Sequence, residues 1–449
     1  MALCAAVALG VASALPTRAA QASSADDGTP AAYAFARDAR TVAGASGTTG
    51  AVRLDPGHTY KSALPAGAKR YYRLDLDASA SAYVSATAVP RAGARVSSSD
   101  GLKVSVQDAA GTTCSSETSH FGPTQSPHPI AAWASRETGP GTYGCKRAGT
   151  YYMVVERRDL TASVPVDWDL ELDYVSEPAP RRAGAATPPG TWDSAPAEPV
   201  PGEAARRAGG AGFAAASALG QGLWQDGIRP GQTLFYKVPV DWGQQLSATV
   251  EMGGSEGGEG YVGTALAMSL YNPVRAYVDD ADAGYSGARI SAALDPLPPV
   301  DYANRGAVGH RASGMRFAGW YYLAVHLGAP VAERFGNGPF GLTLSVRVSG
   351  TPVSGPVYAG RSVPRDVFEV TAADREEAAA RTETDAGGHS GSGRSWSPAP
   401  TGVGGEAAGD TRTMKMVAAG GIGTGSALVL WLGVWTVAAR RRGSRRWAG

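Results

Sequence analysis

Apolar and polar residues alternate over short runs along much of the chain. Tyr72-Arg73-Leu74-Asp75-Leu76 and Asp169-Leu170-Glu171-Leu172-Asp173-Tyr174 each place every second residue on one face. A period of two belongs to a β-strand with one face on a core and the other in water. Pro-Gly and Ala-Gly pairs punctuate the runs, and strands this short cannot cover themselves. The pattern therefore predicts an all-β chain of packed antiparallel sheets, sandwiches of the jelly-roll type rather than one open sheet. One segment departs from it. Val417 to Ala439 is an uncharged apolar run that ends against Arg440, Arg441 and Arg442, with Arg445 and Arg446 close behind. About 20 residues at 1.5 Å rise cross the roughly 30 Å hydrocarbon core of a bilayer, and clustered arginines resist translocation. This predicts a single transmembrane helix over 417–439 with a basic cytoplasmic tail, 440–449, and everything before it facing outward.

The alternating region is duplicated. Gly-Ala-Lys-Arg-Tyr-Tyr-Arg-Leu-Asp-Leu-Asp from Gly67 aligns without a gap to Gly-Gln-Thr-Leu-Phe-Tyr-Lys-Val-Pro-Val-Asp from Gly231, so Tyr72 matches Tyr236 and Asp77 matches Asp241. Downstream, Ser85-Ala86-Thr87 aligns with Ser247-Ala248-Thr249, and Ser105-Val106 with Ser269-Leu270. The run Ala148-Gly149-Thr150-Tyr151-Tyr152-Met153-Val154-Val155 aligns with Ala318-Gly319-Trp320-Tyr321-Tyr322-Leu323-Ala324-Val325, and Leu170 and Leu172 with Leu342 and Leu344. Conserved order and spacing predict two tandem sandwiches, at 45–176 and 212–350. Between them, 177–211 is rich in Pro and Ala and reads as a semi-extended linker. Residues 23–44 read as a disordered leader. The segment 351–416 reads as a mostly disordered stalk that lifts the sandwiches from the membrane, with a packed stretch at Val363 to Val370.

A turn with Pro-Gly, the strand Tyr-Tyr-Arg-Leu-Asp-Leu, the middle strand Leu102-Lys103-Val104-Ser105-Val106 and a closing Ala-Gly-Thr-Tyr-Tyr-Met-Val-Val together resemble the bacterial pre-peptidase C-terminal domain. The resemblance covers both repeats and rests on turns and core positions. It implies accessory modules of the kind that accompany secreted enzymes, some of which bind polysaccharide or protein, although no neighbouring catalytic domain is recognisable in this chain.

Composition narrows the function further. Across 449 residues with 43% hydrophobic content there is material for more than one core, and a formal charge of +1 with no basic cluster before the tail argues against nucleic acid as a partner. Abundant Ala, Gly and Arg with few Lys point to a high-GC bacterium, an actinobacterium. The apolar amino terminus followed by Ala20-Gln21-Ala22 fits a secretory signal cleaved after Ala22, which removes Cys4. Its missing basic start is expected to mean either an atypical signal or, as the favoured reading, a true start codon upstream. Cys114 and Cys145 then remain in a compartment that permits disulfides, and they are expected to pair.

Candidate chemistry is sparse. There is no Gly-x-Ser-x-Gly elbow, His-Glu-x-x-His helix or phosphate loop. The histidines, His58, His120, His128, His310, His326 and His389, lie mostly in loop-like surroundings, with His326 at a strand end. Asp279, Asp280 and Asp282 before Gly284 are the candidate calcium ligands, as carboxylates on a turn, although the full calcium-loop pattern is not met. Among the aromatics, Trp133, Trp168, Trp224, Trp242 and Trp320 are candidates for stacking on a sugar, with core packing the competing reading, above all for Trp320 in the closing strand; Trp224 and Trp242, near turns, are the candidate surface contacts for a ligand. In the span, Gly421 and Gly425 form Gly-x-x-x-Gly, which can let two helices pair into a homodimer. The expectation is a single-pass cell-membrane protein whose outward modules bind a protein partner or an envelope polysaccharide without catalysis and without a cofactor. The alternatives are an anchored accessory subunit of an exported enzyme or complex, or a hydrolase with dispersed catalytic residues.

Overall fold

In the computed structural model, which describes residues 31–380 except 92, 125, 140–143, 159–165, 183–186 and 189, the alternating runs are strands. Tyr72, Leu74 and Leu76 are buried while Arg73 and Asp75 occupy the opposite face. The first repeat supplies β1 (Arg40–Thr41), β2 (Val52–Arg53), β3 (Thr59–Leu64), β4 (Lys69–Leu76), β5 (Ala80–Val89), β6 (Gly101–Asp108), β7 (Thr113–His120), β8 (Ile130–Arg136), β9 (Gly149–Arg158) and β10 (Trp168–Pro178). The second supplies β11 (Ala205–Arg206), β12 (Ser217–Ala218), β13 (Gly222–Ile228), β14 (Thr233–Val240), β15 (Gln245–Met252), β16 (Val262–Tyr271), β17 (Tyr277–Tyr285), β18 (Ile290–Ala293), β19 (Gly319–Leu327) and β20 (Phe340–Ser349).

The strands form four sheets, two to each repeat. Their orders are β1-β3-β10-β5-β8 and β2-β4-β9-β6-β7 in the first repeat, and β11-β13-β20-β15-β18 and β12-β14-β19-β16-β17 in the second. Each second-repeat order is the first-repeat order shifted by ten, so the two sandwich-like units share one topology. Register agrees as well. Val52 lies opposite Tyr72 where β2 joins β4, and Ser217 lies opposite Tyr236 where β12 joins β14.

Equivalent side chains repeat the same local device. The Tyr72 hydroxyl donates to Ser62 Oγ at 2.8 Å, and the Tyr236 hydroxyl donates to Asp226 Oδ2 at 2.7 Å. Tyr151 and Tyr321 each donate to a backbone carbonyl four residues upstream, Arg147 and Phe317, both at 2.8 Å. A buried tyrosine needs such a partner for its hydroxyl, and here it ties strand to turn. One alignment requires correction. Leu172 lies between Tyr60 and Ala86, and Leu344 between Trp224 and Val250, so Ser85-Ala86-Thr87 corresponds to Thr249-Val250-Glu251. A slip of two residues leaves every side chain on its own face, which is why alternation could not reveal it.

Each sandwich closes over its own apolar core. Leu74, Leu102, Val104, Met153, Leu170 and Leu172 belong to the first, and Val238, Leu246, Met268, Leu323, Leu342 and Leu344 to the second. Cys114 on β7 and Cys145 before β9 form a disulfide with a Cα–Cα distance of 5.7 Å and a sequence separation of 31. Because a crosslink restricts the unfolded chain, Cys114→Ser,Cys145→Ser is expected to lose roughly 3 to 4 kcal/mol of unfolding free energy. Urea denaturation of oxidised and reduced wild-type protein should show the same difference.

Where they are described, the end of the leader and the two ends of the linker pack against the sandwiches rather than forming loose connectors, and the stretch at Val363 to Val370 packs as expected. The end of the leader pairs through β1 with β3, and Tyr33 donates to Glu171 Oε1 at 3.1 Å. In the linker, Ala205–Arg206 is already a strand of the second sandwich, and Pro180 bridges to Tyr358. The start of the stalk is a strap. Val363 exchanges backbone hydrogen bonds with Ser176 at 2.8 and 3.0 Å, and Phe368 is 1% exposed. The strap then enters the helix Ala372–Ala379, capped by Thr371 and Asp374. That helix binds the second sandwich through Lys237–Glu377 at 2.9 Å, Arg375–Asp241 at 2.6 Å and the Trp320 indole on Asp374 at 3.0 Å. Gly319 shows how closely the strap approaches: a Cβ there would sit 2.4 Å from the Val367 carbonyl. The physical reason for the difference is apolar anchoring by a few residues, Tyr33, Phe35, Val367 and Phe368, within polar surroundings whose average composition hides them. The segments expected to form a signal and a membrane span, with Gly421 and Gly425, and His389 lie outside the described residues. Among the described residues, no helix is long and apolar enough to cross a membrane.

Candidate binding clefts at the seam between the sandwiches

The outer face of β10 carries Glu171, Asp173, Val175 and Glu177, a polar stripe that alternation assigns to water. It is instead covered by the second sandwich. Glu171 is 0% exposed and receives Arg275 Nη1 at 2.7 Å, the Tyr33 hydroxyl and the Ala36 amide, so both its oxygens are satisfied. Glu177 is 1% exposed and receives Arg305 at 3.1 Å, the Tyr83 hydroxyl at 2.7 Å and the Tyr358 hydroxyl at 2.8 Å. Arg316 completes the set by pairing with Glu137. Burial works against the charge on Glu137, but Arg316 and Arg305 outweigh it and hold its carboxyl below the usual range. Burial likewise disfavours the Arg275 guanidinium, and Asp173 and Glu171 reverse that effect.

Apolar contacts fill the space between the ion pairs. Tyr83 and Val175 meet Val274, Ala276, Phe317 and the strap's Phe368, with Phe317 stacked on Phe368 at 4.6 Å between centroids. Farther along, Ala131 meets Phe213, Phe235, Tyr271 and Ala324. Arg275 reaches Glu171 from the tight turn between β16 and β17, where it adopts φ +59. The buried Asn272 holds that turn by accepting from the Val274 and Ala276 amides, both at 3.1 Å, and donating to the Gly314 carbonyl. A left-handed non-glycine residue costs energy and persists only where its surroundings fix it.

Among the described residues, two clefts lined by both repeats lie along this seam. The larger, about 1070 Å³, has Tyr33, Phe35, Pro90, His128, Pro230 and Phe235 on its walls and is mostly apolar. The smaller, about 500 Å³, is mixed: Glu117, His120, Tyr271, Tyr277, Asp280 and His310 face it beside apolar Phe121 and Ile130. No Lys or Arg lines this smaller cleft among the described residues. Burial pushes the Glu117 carboxyl up to about 8, opposed only in part by hydrogen bonds from Trp133, and one of its oxygens has no hydrogen-bond partner. His310 Nδ1 stands 4.0 Å from the other.

Several sequence candidates are placed differently. Asp279, Asp280 and Asp282 do not share a turn: they lie in β17, where successive residues point to opposite faces. Asp279 is buried against Arg311 at 3.1 Å, Asp280 accepts from the Tyr277 hydroxyl, and Asp280 and Asp282 face the smaller cleft. Alternation thus parts Asp279 from the other two. Among the described residues, no group of three or more His, Cys, Asp or Glu is arranged to hold a metal ion. Trp224 is 3% exposed and Trp242 6%, so neither offers an open indole face. Trp224 packs in the second core and donates to the Gly220 carbonyl at 2.9 Å, while Trp242 is covered by the strap at Gly355. Of the described histidines, His58 packs edge-on to Tyr60, His120 bonds the Ser99 carbonyl, and His128 stacks on His326.

Glu117, Tyr271 and Tyr277 were not among the sequence candidates. Tyr271 closes β16 and Tyr277 opens β17, two tyrosines bracketing a tight turn, and that spacing is the one signal that pointed to them.

Fold and seam define a tandem β-sandwich protein. No known protein-family model matches the chain, and no curated protein matches it. Among solved structures, the CUB1-EGF-CUB2 region of human MASP-1/3 aligns at 8% identity over 64% of this chain and 99% of that one, with a TM-score of 0.16. The N-terminal tandem CBM22 domains of a Paenibacillus barcinonensis protein align at 10% identity over 72% and 100%, with a TM-score of 0.17. A Clostridium perfringens M60 catalytic domain with two CBM51 domains aligns at 9% identity over 64% and 34%, also with a TM-score of 0.17.

Proposed function

We propose that the chain is a non-catalytic binding protein of the cell envelope, held outward by the span at Val417 to Ala439, whose two jelly-roll-like modules of the pre-peptidase C-terminal kind act as one recognition unit. The observation that carries this reading is the seam: buried ion pairs and apolar contacts fix the modules to each other, and both clefts draw walls from both repeats. A ligand seated there would touch two modules at once, in a site whose geometry needs no rearrangement. The dense hydroxyl, imidazole and carboxylate lining of the smaller cleft suits a hydroxyl-rich envelope polysaccharide better than the apolar anchor residues of a protein.

Retention of detergent-solubilised full-length protein on immobilised envelope polysaccharides tests the reading. Wild-type protein is expected to bind, and Tyr277→Ala to bind about tenfold more weakly, the equivalent of roughly 1.4 kcal/mol. Failure to bind any polysaccharide, with stoichiometric capture of one exported protein from crosslinked cells, would replace it with the accessory-subunit reading. Turnover of a glycan or peptide substrate by the same preparation would replace it with the hydrolase reading.

A further inference from the structure

We propose that His128 and His326 form an acid-sensitive latch, closed at neutral pH, between the two sandwiches. His326, near the end of β19, is 3% exposed, and its ring stacks on that of His128 from the first repeat at 4.4 Å between centroids and 24° between planes. His326 Nδ1 lies 3.0 Å from the Gln232 carbonyl, and His128 Nδ1 lies 2.7 Å from the Ser126 carbonyl. A carbonyl oxygen only accepts, so each neutral ring carries its hydrogen on Nδ1, which on His326 also meets the Thr233 hydroxyl at 3.0 Å, and leaves Nε2 without a hydrogen. On His326 that Nε2 is buried without any hydrogen-bond partner. A proton added there meets no acceptor and faces a second imidazole. Beside the stack, the Ala329 amide donates to the Ser126 hydroxyl at 3.0 Å, so the residues that hold His128 also carry a backbone contact across the seam.

No counter-ion answers the charge. Arg91, Arg95, Asp169 and Glu333 line the cleft on one side, and Glu117, His120, Asp280, Asp282 and His310 the cleft on the other, and none hydrogen-bonds to either ring. Burial and the neighbouring His128 push His326 well below the ordinary imidazole range, against the Gln232 carbonyl, and burial lowers His128 against the Ser126 carbonyl. The open seam therefore binds more protons than the closed one below about pH 6.5, and closure weakens as the pH falls through that value. Glu117 acts in the opposite sense, because its carboxyl holds a proton in the closed form up to about pH 8. Two imidazoles against one carboxyl leave a net loss of one proton's effect. Glu137, held low by Arg316, keeps its pairing until stronger acid. The latch does not depend on what the clefts bind, so its test uses no ligand.

Hydrogen exchange of the full-length protein, corrected for the intrinsic pH dependence of exchange, reads the seam directly. Protection at residues 126–131 and 323–327 is expected to fall by up to about tenfold from pH 6.5 to pH 5, the open-state rings being half protonated at the start of that interval, while β4 keeps its protection. Glu117→Gln should steepen the loss, and His128→Phe,His326→Phe should flatten it. Unchanged wild-type protection, or an equal loss in the double phenylalanine variant, would overturn the proposal. If that variant does not fold, the imidazole Cε1–H resonances of the wild type decide. Titration of both rings together with the loss of protection supports the latch, and titration near pH 6.5 with the seam still protected rules it out.

Discussion

Arg275→Met is expected to lower the unfolding free energy by about 3 to 5 kcal/mol, the range for removing one partner of a buried ion pair. Glu171 is 0% exposed and Arg275 7%, and Asp173 approaches the same guanidinium at 3.7 Å. Methionine retains much of the apolar stem but not the guanidinium that lies over the Phe213 ring, so the lost terms are the ion pair and that cation–π contact rather than core packing. What remains is a carboxylate in a dry interface, with only the Tyr33 hydroxyl and the Ala36 amide to solvate it. Glu171→Gln removes the stranded charge and keeps one acceptor oxygen for the Ala36 amide, while its NH2 can donate to the Tyr33 hydroxyl, which can turn to accept. The combined variant should therefore be more stable than Arg275→Met alone, and urea denaturation of the four proteins in a double-mutant cycle measures the coupling. A loss below about 1 kcal/mol for Arg275→Met, the scale of an exposed pair, would mean that water enters the seam and that the two sandwiches are not fixed to each other.

Glu171 also marks where sequence reasoning reached its limit. The alternation through Asp169 to Tyr174 correctly places Leu170 and Leu172 in the core, because burial on one face of a strand is a local property of period two. It says nothing about what covers the other face. Glu171, Asp173 and Glu177 have the composition of a solvated stripe, and only partners more than 100 residues away, Arg275 on the β16–β17 turn and Arg305 between β18 and β19, cover them. The second repeat shows the contrast: where the first has Glu171, Asp173 and Val175, β20 has Thr343, Ser345 and Arg347, and Arg347 pairs with Glu198 of the linker. The duplication was legible because matched strands keep matched residues such as Tyr72 and Tyr236. The clefts were not, since they arise from contact between unlike faces of the two copies. Trp224 and Trp242 follow the same rule: proximity to turns suggested exposure, but long-range packing covers both.

Phe368→Ala should have the second large effect, a loss of about 3 to 5 kcal/mol. The side chain is 1% exposed and stacks on Phe317 of the second sandwich, while Tyr83 of the first meets it edge-on at 6.4 Å. It is thus the point where strap, first repeat and second repeat share one apolar cluster. An internal core residue would destabilise its own sandwich, whereas this one lies outside both cores and should weaken their coupling. Calorimetry separates the two outcomes. The wild-type sandwiches in the full-length protein should melt in one transition, because each is held by the other through the seam. Phe368→Ala should split that transition in two, with the strap's protection at Val363 and the Ser176 amide lost first. Phe368→Leu, which retains most of the volume, should keep a single transition at a modestly lower temperature. If Phe368→Ala lowers the temperature but leaves one transition, the ion pairs at Glu171 and Glu177 are sufficient to couple the sandwiches, and the strap contributes stability without joining them.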